Sequence, residues 1–362
     1  MQESKKTSIA SRIHHWIRAH KVVSYTIGAV LVMIVSGSIA FAFLYQQPVK
    51  SEPVVVKKAE PVTEPKKFYS PLTGNLVADE AATTQAVTAI MIENSPDARP
   101  QSGLKDSGVV FEAIAEGGIT RFLALYQQEK PQLVGPVRSV RMYYVDWLAA
   151  FNASVAHIGG SAAALTEVRN GSYRDIDQFF NAGTYWRATD RYAPHNVYTS
   201  FAKLNALNSA KGFTSSAFTG FSRKDSITTV TPNASAVQVT ISSPVFNSSY
   251  AYNSATNTYD RSQAGAPHLD REAGQISPRV VIVMKVPMQR VLEDGYREQI
   301  NTIGTGSATI FQDGIATEVS WSKPSKTEQI SFKDAAGVDV PLARGQTWIT
   351  AVPASTGVVA WQ

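Results

Sequence analysis

The stretch Val134 to Tyr144, VGPVRSVRMYY, sets two guanidinium groups, Arg138 and Arg141, three residues apart after a Gly-Pro turn. The residues that follow (Met142, Tyr143, Tyr144, Val145, Trp147 and Leu148) read as the start of a helix, where positions three apart share a face. Two cations there repel each other and sit near the positive end of the helix dipole. The pattern therefore demands a negative partner, either a carboxylate of the chain or a ligand. Further on, ASVAHIGGSAAALTEV (Ala153 to Val168) reads as strand, Gly159-Gly160, then a helix capped by Ser161. Paired glycines before a helix let backbone N–H groups approach an anion, although a tight turn with a structural histidine fits the same residues. His157 falls at the carboxyl end of its strand, where ligands collect in open α/β sheets. With Arg121 and His195, these residues form one expected anion site: Arg121, Arg138, Arg141, His157, Gly159, Gly160, Ser161 and His195. Arginine suits it because the planar fork binds phosphate or carboxylate bidentately. The acids expected nearby are Glu93, Glu112 and Glu116, with Glu93 or Glu112 answering the arginines when no ligand is present. On one regular strand Glu112 and Glu116 point the same way, ~13 Å apart, too far for a glycosidase pair.

The elements that must position these groups are α/β in the first half. AVTAIMIE (Ala86–Glu93), GVVFEAIA (Gly108–Ala115) and ITRFLALYQ (Ile119–Gln127) are apolar runs of strand length, the last two joined through Glu116-Gly117-Gly118 as a hairpin. A helix is expected from Arg141 to about Phe151 and another near Tyr198 to Asn208, after a long loop rich in Arg, Asp and aromatics. The second half reads as antiparallel β, with Asp313-Gly314 as a hairpin turn and a small barrel or sandwich as the architecture. Its His268-Leu269-Asp270 suits a metal or acid/base element, or a loop held by local hydrogen bonds. The fold class is thus a mixed α/β (α+β) domain, then a mostly antiparallel β domain, behind one membrane helix. The boundaries are 1–21 basic segment, 22–45 transmembrane helix, 46–67 Pro/Lys/Glu-rich linker, 68–210 first domain, 211–236 inter-domain linker and 237–362 second domain.

Val22 to Tyr45 is 24 residues without a charge, enough to span a bilayer. Lys5, Lys6, Arg12, Arg18 and Lys21 precede it against Glu3 alone. The positive-inside rule then puts the N-terminus in the cytoplasm and the bulk of the chain outside. A signal peptide cleaved near Ser38-Ile39-Ala40 is the rival reading. The proline-rich segment that follows favours extended conformers and reaches up to ~65 Å. The first 21 residues contribute +4 to the total of +5 and residues 46–67 contribute +2, which leaves −1 for residues 68–362. The globular part therefore has no basic field for nucleic acid. There is no cysteine, which excludes disulfides, thiolate metal sites and thiol nucleophiles.

Several runs together resemble the YerB-like family, domain of unknown function 3048. ENSPDARPQSGL, VVFEAIAEGGITRFLALYQ, VGPVRSVRMYY, HIGGS and APHNVY match its N-terminal domain over Glu93 to Tyr198. YNSATNTYDRSQAGAPHLD, VVIVMKVP, GTGSATIFQDGIATEVSWSK and PLARGQTWITAVP match its C-terminal domain. The resemblance implies a bacterial, membrane-attached, extracytoplasmic protein. Many members are lipoproteins; here the helix at Val22–Tyr45 would replace the lipid. No activity comes with the resemblance. HExxH, GxSxG, Walker and dinucleotide motifs are all missing from the sequence. No cofactor and no metal are expected, and a zinc site built from His157, His195 and His268 would have to draw on both domains. Three readings stay open: a module binding an anionic envelope ligand, an envelope phosphotransferase or hydrolase with His157 or Asp146 as base, and a scaffold gripping a wall-associated protein. Layout analogy with LytR-CpsA-Psr phosphotransferases prompts the second.

Overall fold

The computed structural model describes residues 8–45, 66–290 and 297–362. The proline-rich stretch 46–65, expected as a stalk, lies outside them. The chain forms two units, Met1–Pro65 and Lys66–Gln362. In the first, α1 (Ile9–Ala19) is capped by Ser8 and followed by α2 (Lys21–Tyr45), 25 residues that are long and apolar enough to cross a membrane.

The second unit is built on a ten-stranded sheet. Its strands from the first half are β1 (Thr88–Glu93), β2 (Val109–Glu116), β3 (Ile119–Tyr126), β4 (Ser154–Ala156) and β5 (Arg174–Asp175). Three helices accompany them: α3 (Met142–Ala149), α4 (Ala162–Val168) and α5 (Phe201–Ala210). The second half forms β6 (Ala236–Thr240), β7 (Ser248–Asn253), β8 (Thr258–Gln263), β9 (Ala266–Pro267), β10 (Val280–Val286), β11 (Gly304–Gln312), β12 (Ile315–Lys323), β13 (Ser331–Lys333), β14 (Thr347–Pro353) and β15 (Val358–Trp361). The large sheet runs β13-β12-β11-β10-β14-β2-β3-β1-β4-β5; a five-stranded antiparallel sheet runs β9-β8-β7-β6-β15.

Two expectations change here. The halves do not close as separate bodies, because β14 pairs in parallel with β2 from Thr347↔Val109 to Thr350↔Glu112. The second half is mostly antiparallel, as expected, and includes β10 and β14 as parallel neighbours over seven residue pairs. The reason is burial: β2 and β14 are covered almost end to end, and such strands need packing on both faces, which a central place in a shared sheet supplies. The segment 211–236, expected as a linker, is packed down. Its Arg223 donates to the Ala343 carbonyl at 3.0 Å and to Thr347 Oγ1 at 2.9 Å.

One face of the sheet packs Met91, Phe111 and Leu123 against Tyr143, Tyr144 and Trp147 of α3. The other packs Ile90, Phe122 and Tyr126 against Phe201 and Leu204 of α5. Farther along that face, Val281, Val283 and Phe311 meet Val237, Tyr250 and Tyr259 of the five-stranded sheet.

Candidate functional site

Strands β1, β2, β4, β5, β10 and β14 all run the same way. β1, β4 and β5 pair in parallel, as do β10, β14 and β2, and β3 lies antiparallel between β1 and β2. Their carboxyl ends therefore share one edge of the unit, the usual place for ligands in open sheets with parallel strands. Glu93 ends β1, Glu116 ends β2, Asp175 ends β5, His157 follows β4, and Arg121 lies near the start of β3. The segment carrying Arg138 crosses this edge. The Arg138 N–H donates to the Met91 carbonyl at 2.8 Å, and its carbonyl accepts from Ile158 N–H at 3.1 Å.

Arg138 and Arg141 do not share a helical face, because α3 begins only at Met142 and Arg141 is its extended N-cap residue. Each finds its own acid. Arg141 Nη2 donates to Glu116 Oε2 and Arg121 Nη2 to Glu116 Oε1, both at 2.7 Å. Arg138 Nε lies 3.3 Å from Glu93 Oε1. Glu112 answers none of these arginines: it sits on the opposite face with Arg261, Thr120 and Trp348. A register shift between Ile114 and Glu116 explains the division. A bulge reverses the alternation of side chains, so Glu116 points to the side of Arg121 and away from that of Glu112.

The expected site residues thus reach one edge but gather around three carboxylate centres. At the first, one carboxylate serves two guanidinium groups, leaving a surplus positive charge. Burial raises the Glu116 carboxyl, yet Arg121 and Arg141 outweigh it and hold the group below the usual range. Burial, then Arg121, lowers the Arg141 guanidinium, against the pull of Glu116. At the second, Glu93 Oε1 accepts from Ser95 Oγ at 3.0 Å and faces His195 Nδ1 at 2.9 Å, while Oε2 is buried without a hydrogen-bond partner. At the third, His157 faces the Gly159 carbonyl through Nδ1 at 2.8 Å and Asp175 Oδ1 through Nε2 at 3.0 Å. Asp177 accepts there from Arg169 Nη2 at 2.6 Å. His157, Asp175 and Asp177 bring ligand atoms within 4.8 Å of one another, the one such group among the described residues able to hold a metal ion. Arg169 pairs with both carboxylates, with Nε 3.7 Å from Asp175 Oδ2 and Nη2 2.6 Å from Asp177 Oδ2.

The Gly-Gly turn is a packing device. A Cβ on Gly160 would meet Val140 Cγ1 at 2.9 Å and its carbonyl oxygen at 3.0 Å, and Gly159 adopts φ +74°. Ser161 caps α4 by accepting from Ala164 N–H, as its position predicts. His268 and Asp270 serve structure as well: His268 lies between Arg261 and Gln101, and Asp270 accepts from the N–H groups of Lys105, Glu272 and Ala273.

Beside the first centre, a cleft of about 570 Å³ opens between α3, the start of α4 and residues 297–303. Of the residues expected at the anion site, Arg141 and Ser161 line it, and so does Asp146, expected as a base in the catalytic reading. Tyr143, Arg297, Glu298, Gln299, Asn301 and Thr302 supply the rest of its polar lining. The tyrosines of α3 fix its position: Tyr143 donates to the Ile114 carbonyl at 2.7 Å, and Tyr144 to the Arg121 carbonyl at 2.7 Å. Trp147 stacks on Phe111 with ring centroids 5.0 Å apart. Arg141 is thereby held at the N-cap of this short helix and Asp146 in its middle. Asn301 and Thr302 carry no sequence signal, since their place depends on a contact with α3 across the chain.

Residues 72–214 match the family described as "Protein of unknown function (DUF3048) N-terminal domain", and residues 237–349 match its C-terminal domain. The chain belongs to the DUF3048 family. A curated relative, "Putative lipoprotein YerB" of Bacillus subtilis (strain 168), is 33% identical over 306 residues, covering 82% of this chain and 89% of that protein. The crystal structure of YerB protein from Bacillus subtilis superposes with a TM-score of 0.72 at 29% identity, covering 81% of this chain and 100% of that one. The DUF3048 halves are thus boundaries of sequence, while the sheet that carries the edge described above draws strands from both.

Proposed function

We propose that this DUF3048 protein is a membrane-anchored binding protein of the bacterial envelope that takes up an anionic group in the cleft at Arg141. Its helix Lys21–Tyr45 spans the bilayer with the basic N-terminus inside and Lys66–Gln362 outside. The lipoprotein name of the relative supports membrane association.

The observation that carries the binding reading is the unequal charge around Glu116. Two guanidinium groups share its carboxylate, and the one that borders the cleft, Arg141, keeps a buried Nε–H without a hydrogen-bond partner. An anion in the cleft supplies the second negative charge. Calorimetric titration of the detergent-solubilised chain with inorganic phosphate tests this. Saturable binding, weakened about tenfold or more in Arg141→Gln with the melting temperature kept, is expected for loss of one charge-assisted hydrogen bond. Equal binding by the variant excludes Arg141, and no saturable binding by wild type refutes the reading.

A catalytic reading rests on Asp146 in the same cleft, whose carboxyl is raised by burial and so is suited to acid/base work. Turnover of a phosphodiester or phosphoanhydride probe, lost in Asp146→Asn, would establish it.

A further inference from the structure

We infer that the anion held at Arg141 belongs to a molecule with a neutral hydroxyl a few bonds away, and that Asp146 Oδ1 accepts a hydrogen bond from that hydroxyl. This deepens the reading above and rests on it.

Two buried groups left incomplete border one cleft. Arg141 spends Nη1 on the Val140 carbonyl and Nη2 on Glu116, and its Nε–H has no partner. Asp146 is 9% exposed; its Oδ2 accepts from Thr302 Oγ1 at 2.7 Å, and its Oδ1 is buried without a hydrogen-bond partner. Buried polar atoms are nearly always paired, so each marks a place for a complementary atom. The first calls for an acceptor and the second for a donor. Arg141 caps the helix that carries Asp146 five residues on, which sets the two about 7.5 Å apart along its axis. Both residues line the same cleft, which places them to meet one ligand once their side chains turn toward it.

The choice between hydroxyl and ammonium follows from Lys326. Its Nζ lies 4.0 Å from Asp146 Oδ1 and 2.8 Å from Glu167 Oε1. A second ammonium at Oδ1 would meet that like charge, whereas a hydroxyl would not. Ser161, Asn301 and Thr302 extend the same wall with groups that pair with hydroxyls. Burial raises the Asp146 carboxyl, consistent with an acid lacking one hydrogen-bond donor. The ligand class is therefore a hydroxyl-bearing phosphate or carboxylate of polyol type.

The test is calorimetry on the full chain in detergent at fixed ionic strength, with inorganic phosphate, glycerol 3-phosphate, glycerate and phosphoethanolamine as probes. Glycerol 3-phosphate or glycerate is expected to bind about tenfold tighter than inorganic phosphate, and whichever wins identifies the anionic head. Asp146→Ala should abolish that preference, read as the ratio of polyol-anion to phosphate affinity within the variant. Should the alanine variant fail to fold, Asp146→Asn carries the same readout, with the preference reduced. Equal binding of phosphate and both polyol anions by the wild type overturns the inference and leaves the anion site standing. Tighter binding of phosphoethanolamine overturns the hydroxyl assignment. If no probe binds, the anion reading itself fails.

Discussion

Arg261 and Glu112 form an ion pair at 2.9 Å with both side chains fully buried, and they come from different sheets and different halves of the sequence. Glu112 lies on β2 and Arg261 on β8. The guanidinium also sits 4.6 Å from the ring centroid of Trp348 on β14. A charge pair with no solvent contact is costly to open from one side, because the remaining charge has nowhere to go. Arg261→Ala is therefore expected to destabilise the Lys66–Gln362 unit by ~3–5 kcal/mol in urea unfolding. A loss below about 1 kcal/mol would mean that the pair is not closed to water.

The shared sheet leads to a second expectation. β2 hydrogen-bonds to β14, so a fragment of residues 68–210 lacks the partner of a central strand. Its amide NMR spectrum should show poor dispersion, while residues 66–362 together give a folded spectrum. A well-dispersed spectrum from the fragment alone contradicts this account of the sheet.

His268 offers a pH test. It is buried between Arg261, which can only donate to its Nδ1, and Gln101, so the neutral ring with Nε2–H is the fitting form. Burial, then Arg261 and Arg99, push its pKa well below the ordinary value. The unfolded chain then binds a proton that the folded one refuses. Stability is full above the ordinary histidine range and falls as pH drops below about 6.5, by up to ~1.4 kcal/mol per pH unit for one group. His268→Gln should flatten that limb between about pH 6.5 and pH 5. An unchanged slope would assign the limb to other groups.

Gly160 tests the packing role of the Gly-Gly turn. Adding a methyl forces Val140 to move against a backbone contact, so Gly160→Ala should cost ~1–3 kcal/mol in thermal or urea unfolding. Full stability with weakened phosphate binding would return the turn to the ligand site.

The hairpin turns were legible because their chemistry is local. Gly117 and Gly118 take φ of 58° and 80°, and Asp313 and Gly314 take 57° and 79°, the positive values a two-residue hairpin needs. The Ser161 cap was legible for the same reason. What stayed hidden depended on geometry between distant residues. A one-residue bulge decided which acid met Arg121, and no local pattern marks it. The pairing of Glu112 with Arg261 spans 149 residues. The convergence of Arg121, Arg138, Arg141, His157 and His195 on one sheet edge followed from strand direction. Their division among Glu93, Glu116 and Asp175 required the register. Asp175 and Asp177 lie in the long loop rich in Arg, Asp and aromatics, but nothing in the sequence tied them to His157.

The central claim, that the cleft at Arg141 receives an anion from another molecule, is tested most directly by crystals of residues 66–362 soaked with tungstate, a heavy phosphate analogue. An anomalous peak between Arg141 and Ser161, absent from Arg141→Gln crystals, is the expected result. An empty cleft at saturating tungstate, with Arg141 still bound only to Glu116 and the Val140 carbonyl, would contradict it.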